Sequence, residues 1–170
     1  MRGIAAEMAA TDDIWRSYRR PRVVMREHLA RARSEPRALV FLLLALTVIF
    51  IGQWPRLSRL SYQMPDQPMV GLMMGTLLAL LAMIPVFYAA AALGHLGAKL
   101  IGGQGSWYGA RVALFWALLA VSPLMLLQGL VAGFIGAGPQ LALVSGLVFI
   151  VFVVFWMAGL RVAEFETETS

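Results

Sequence analysis

Cysteine is absent from the 170-residue chain, which excludes disulfides, thiolate metal sites and cysteine nucleophiles. Charge is absent over two long stretches: residues 67–98 and 112–160 contain no Asp, Glu, Lys or Arg. Pumps and ion-coupled transporters place ionisable groups in such stretches because a moving charge needs a polar partner there. Their absence argues against ion coupling. Histidine occurs only at His28 and His95, and neither has another His, Asp or Glu at metal-ligand spacing. No metal site and no cofactor is therefore expected. Ser106 stands in Gly-Gly-Gln-Gly-Ser, not in the Gly-x-Ser-x-Gly elbow of a serine hydrolase. The same loop lacks the Gly-Lys-Ser/Thr ending that cradles phosphate. No catalytic residue is identified, and the chain is read as a non-enzyme.

What is present in excess is apolar surface. Hydrophobic residues make up 60% of the chain and mean hydropathy is +0.76, against about 45–50% apolar in an ordinary soluble domain. The excess lies in uninterrupted runs, which a protein of this size cannot bury in one core but lipid can solvate. The fold class expected is all-α: a polytopic membrane protein with a bundle of about four transmembrane helices and an N-terminal amphipathic interfacial helix. The spans are placed at about 38–54, 68–93, 111–137 and 141–160. Residues 1–37 form a basic arm, 38–162 the bundle and 163–170 an acidic, soluble tail. The first run lacks a small-residue cleavage site and is read as a retained span.

Nine of the 14 basic residues fall in the first 37 positions. From Pro21, the residues Val24, Met25, His28, Leu29 and Ala32 share one face of a helix, which suits the headgroup plane. Arg16, Arg19, Arg20, Arg22 and Arg26 then form a surface for anionic lipid. Interleaved Trp15 and Tyr18 also fit base stacking, but a tethered arm meets lipid first, so no nucleic acid is expected. With four spans, twelve basic residues lie on the side of the termini and two, Arg56 and Arg59, on the other. The positive-inside rule makes both termini cytoplasmic.

Helices in lipid associate through small residues, not through a hydrophobic drive. Gly71 with Gly75, Gly129 with Gly133, and Ala142 with Gly146 have the spacing for close helix packing. Pro85 and Pro123 are expected to kink their spans. Gln128 is the one mid-span group suited to bonding a neighbouring helix, whereas hydroxyls such as Thr47 and Ser122 bond back to their own.

The loop Gly102-Gly103-Gln104-Gly105-Ser106, the helix start at Arg111 and the later Ser122-Pro123 together resemble the Yip1 family of small multispan membrane proteins. Pro85, the small residues 89–92 and the short helix from Pro21 to Leu29 fit the same pattern. The likeness spans roughly residues 20–162 and has a bacterial look. It implies a helical bundle without catalysis, in which Gly102, Gly103, Gly105, Ser106 and Arg111 form a cytoplasmic loop motif. Relatives in eukaryotes bind small GTPases of vesicle traffic and shape membranes; that partner is not carried over. Many members have five spans, whereas four are counted here. The function expected is a membrane scaffold or adaptor in a bacterial inner membrane. It would act through the lipid bilayer, anionic lipids included, and through a membrane protein partner or self-association. The alternatives are an accessory subunit of a larger membrane complex and a transporter or channel for a neutral solute.

Overall fold

The computed structural model describes residues 2–64 and 66–166, with side chains from Thr11 onward. Among the described residues seven helices follow one another: α1 (Arg2–Arg19), α2 (Pro21–Ala30), α3 (Glu35–Gln63), α4 (Met69–Ala82), α5 (Ile84–Leu100), α6 (Trp107–Phe134) and α7 (Pro139–Phe165). No strand occurs among the described residues. Four units are long and apolar enough to cross a membrane: α3, α4 with α5, α6, and α7. The chain is thus an all-helical membrane bundle, with the short helices α1 and α2 laid against one end of it.

α3, α5 and α7 run past the span ends placed for them, whereas α6 starts earlier, at Trp107, and stops at Phe134 rather than at 137. α3 passes through Pro55 to Gln63, so the polar connection expected from residue 55 shrinks to the few residues before α4. Proline's fixed φ is compatible with a helix and costs it one hydrogen bond, not its continuation. The second span breaks at Met83, where ψ is −12°; Pro85 then occupies the first turn of α5, a position that needs no N–H donor. α6 begins at Trp107 because Ser106 caps it, its hydroxyl accepting from the Gly109 N–H at 3.1 Å. α7 runs past Leu160 to Phe165. The acidic tail placed at 163–170 is therefore helical at its start, and residues 167–170 lie outside the described residues.

α6 is the central helix. It packs on α3, α5 and α7, and also on α1 and α2, so residues 112–122 are buried on every side. That is the physical meaning of a helix that is apolar all round. Near its other end the approach to α3 is tighter still. A Cβ on Gly129 would collide with the Gly52 backbone, and one on Gly133 with Pro55. Gly136, at φ +91°, lies under the Arg59 guanidinium, which donates to the Gly133 carbonyl at 3.3 Å and closes the α6 C-terminus. Gln128 Nε2 donates to Ser145 Oγ at 2.8 Å, a bond from α6 to α7, while Thr47 and Ser122 bond back to their own helices.

The arm is folded onto protein. The apolar face of α2 (Val24, Met25 and His28) is buried and packs on α7 and α6, not on acyl chains as its amphipathicity suggests. Ser17 of α1 accepts the Trp116 indole N–H at 3.1 Å and donates to the Asp13 carbonyl at 2.8 Å. The edge of Tyr18 meets Phe155 of α7, ring centroids 5.1 Å apart.

Candidate functional site

The end of the bundle that carries α1 and α2 gathers most of the polar chemistry. α5 ends there, α6 starts there and α7 ends there, and the glycine loop joins the first two. Gly102 has φ +91°, where glycine is favoured. Gly105 sits where a Cβ would collide with the Ala163 carbonyl and the Glu164 backbone. The Gln104 N–H donates to the Glu164 carbonyl at 2.8 Å. The loop is thereby clamped onto the last turn of α7, and its glycines are the reason it can come so close.

This clamp covers Glu164, which is fully buried despite standing in a run of acidic residues. Its Oε1 lies 2.6 Å from Nδ1 of His95 on α5, which is equally buried. The ring of Trp107 covers the histidine, centroids 4.4 Å apart. A separation of 2.6 Å requires one proton between the two atoms. One member therefore donates to the other, which satisfies one buried polar atom of each. His95 Nε2 and Glu164 Oε2 have no partner among the described residues.

Sequence reasoning found no partner for His95 and placed Glu164 in the soluble tail. The signal that would have joined them is the continuation of α7's apolar periodicity beyond Arg161: Val162 and Ala163 are buried too. Arg111 has a protein partner, Glu35 at the start of α3, at 2.5 Å, and its guanidinium lies 6.0 Å from the centroid of the Tyr88 ring. It is therefore engaged within the bundle.

His28 forms a second buried centre, against Trp116 (4.2 Å) and Phe41 (5.2 Å), with Asp13 Oδ2 3.6 Å away. Burial, reinforced by the charge of Arg31, lowers its pKa to about 4. Of the expected lipid-facing arginines, Arg16 is paired with Glu27 and Asp13, and Arg26 with Glu166. The hydrogen bond from Arg16 holds the Glu27 carboxyl below the usual carboxylate range. Arg19, Arg20 and Arg22 are exposed and, among the described residues, form no ion pair.

The other expected packing glycines do not meet the rest of the chain closely. A Cβ on Gly75 or Gly146 would meet nothing within 4 Å, and one on Gly71 would touch only Pro68; Ala142 is exposed. Pro123 is exposed on α6. No group of three or more His, Asp or Glu able to hold a metal ion occurs among the described residues.

Four spans, a glycine loop clamped on the last helix and a helical arm docked at the same end define a small polytopic membrane protein. The family model described as the Yip1 domain matches residues 15–169, nearly the whole chain. The chain belongs to the Yip1 family, a membrane protein family that is in general non-enzymatic. No curated protein and no solved structure matched it.

Proposed function

We propose that this chain is a non-enzymatic scaffold or adaptor of a bacterial inner membrane, with both termini cytoplasmic. In this reading it works by helix contacts within the bilayer and by its basic cytoplasmic face. The orientation rests on the twelve-to-two distribution of basic residues. The observation that carries the function is α4. It has no buried residue at all, and its Gly71-x-x-x-Gly75 face is open. A span with a small-residue face that its own bundle leaves uncovered suits a second transmembrane helix, where close backbone approach drives association. A membrane protein partner and a second copy of this chain both fit.

Capture from membranes in mild detergent, at native expression, tests the proposal. The expected result is a stable oligomer or a defined membrane partner that is lost when Gly71 and Gly75 are both changed to Leu. A monomer without a partner would overturn it. The same open face also suits an accessory subunit of a larger complex, and stoichiometric co-purification with one such complex distinguishes that case.

A further inference from the structure

A cavity of about 860 Å³ opens between the last turns of α5, the last three turns of α7 and the start of α2. Its floor is made of small residues: Gly94, Gly97 and Ala98. A Cβ on Gly97, which is exposed, would meet nothing within 4 Å, so the cleft is open at this position. Its walls are apolar, with Met157, Leu160 and Phe165 among them. Trp156 also lines it, and its buried indole N–H has no partner among the described residues. Two cations stand among these walls, Arg22 from α2 and Arg161 from α7, and among the described residues no acidic one does.

The two arginines differ from their neighbours. Arg16, Arg26 and Arg111 each hold a carboxylate. Arg22 lies one turn before Arg26, yet Glu166 goes to Arg26. Among the described residues neither Arg22 nor Arg161 forms an ion pair. Two like charges bordering one cleft repel each other, and a bound anion would remove that penalty. A guanidinium matches phosphate oxygens in a fork geometry. The apolar walls exclude a purely water-soluble anion as the fitting ligand, and the paired cations disfavour a zwitterionic one.

The axial dimensions agree. Val154 and Arg161 both line the cavity, and seven residues of helix rise about 10 Å. That is roughly the depth from a headgroup to the upper acyl chain. The volume falls within the range of about 300–1,000 Å³ seen for specific ligand sites. From these observations we propose that the cleft between α5 and α7 holds one anionic phospholipid. Its phosphate lies on Arg22 and Arg161, and its acyl chain runs over the Gly94–Gly97–Ala98 floor. The proposal deepens the reading of this end as a basic, lipid-facing surface. It does not depend on any protein partner, so lipid retention and partner capture can fail separately.

The test is native mass spectrometry of the full chain, purified in a neutral detergent. It is offered phosphatidylglycerol or phosphatidylcholine with identical acyl chains. A single phosphatidylglycerol adduct is expected, retained about tenfold over phosphatidylcholine, equivalent to ~1.4 kcal/mol. Arg22→Gln with Arg161→Gln should bring the two lipids to parity. Arg33→Gln with Arg56→Gln, exposed positions outside the cleft and outside the basic surface of the arm, should preserve the preference. Gly97→Leu, which fills the floor, should reduce the phosphatidylglycerol adduct. Equal retention of both lipids by the unaltered protein overturns the site, as does a preference that survives the Arg22 and Arg161 changes. Full retention by Gly97→Leu places the lipid outside the cleft and also overturns it. Displacement by millimolar inorganic phosphate would identify a free-anion site instead. Circular dichroism checks each variant's helix content; both arginines are exposed, so their double variant keeps the test decisive should Gly97→Leu fold poorly.

Discussion

His95 and Glu164 stand 69 positions apart in the chain, and the fold brings Nδ1 of one to 2.6 Å from Oε1 of the other, inside the protein. Neither residue has an apolar neighbour's reason to be buried; each is buried because the other is. The pair joins α5 to α7 at the point where the glycine loop crosses them, so it couples three segments that share no local sequence.

Removing one member strands the other without its partner. Glu164→Ala or His95→Ala should each cost about 3–5 kcal/mol, the range for a buried pair broken on one side. Changing both, His95→Leu with Glu164→Leu, should recover a large part of the loss because neither member is left buried without its partner. The measurement is denaturant unfolding in mixed micelles followed by circular dichroism. A double variant as unstable as the sum of the singles would show that packing, not the ion pair, is what the two residues supply.

The glycines separate by what a Cβ would meet. Gly129→Ala drives a methyl into the Gly52 backbone, and Gly105→Ala into the Ala163 carbonyl. Neither neighbour is the flexible end of a side chain, so a loss of about 2 kcal/mol or more is expected from overpacking. Gly75→Ala and Gly146→Ala meet nothing within 4 Å. They should leave the isolated chain unchanged, or stabilise it by about 0.5–1 kcal/mol through helix propensity. Thermal unfolding of the four variants in one detergent orders them. A stable Gly129→Ala protein would remove the close α3–α6 approach.

The helical spans were legible because lipid imposes a pattern that local sequence must carry: long runs without charge. Their ends were not, because a helix end depends on what meets it. α7 continues to Phe165 because the loop at Gly105 and the side chain of His95 satisfy Glu164; Val162 and Ala163 signal that the apolar face runs on past Arg161, but not what covers the carboxylate. The same limit applies to α2. Its amphipathic face can be read from Val24, Met25 and His28, but amphipathicity is the same whether lipid or protein covers the face. Glycine spacing has a like ambiguity. Gly129 and Gly133 meet α3, while Gly71 and Gly75 have identical spacing and meet no other helix closely.

Gln128 offers a smaller, cleaner test. Its amide donates to Ser145 across the α6–α7 contact at 2.8 Å. Hydrogen bonds between membrane helices average about 0.6 kcal/mol by double-mutant analysis. Gln128→Leu, Ser145→Ala and the combined variant should therefore give a coupling energy of roughly that size in a double-mutant cycle. A coupling indistinguishable from zero would mean that the bond contributes no net stability.

The docking of the arm should weaken in acid, through His28. Burial, then the charge of Arg31, lowers its pKa from 6.5 to about 4; Arg37 and Arg16 act in the same direction and Glu27 opposes them. Asp13, 3.6 Å away, is the facing carboxylate, and the remaining contacts are the rings of Trp116 and Phe41. The packed imidazole is therefore neutral where a free one would already bind a proton. The undocked state takes up more protons between the two values, so stability is full above about 6.5, falls with pH through this window and levels off below about 4. At pH 5, about 1.5 units below the free value, the loss is ~2 kcal/mol, or roughly a 30-fold change in the docking equilibrium. Amide hydrogen exchange over residues 21–30 reads it directly, as protection that drops between pH 7.5 and pH 5. His28→Phe keeps an aromatic ring in place and removes the titrating group, so its α2 protection should be nearly flat over the same range. A wild-type profile as flat as that of His28→Phe would show that the arm is held without any contribution from the neutral histidine.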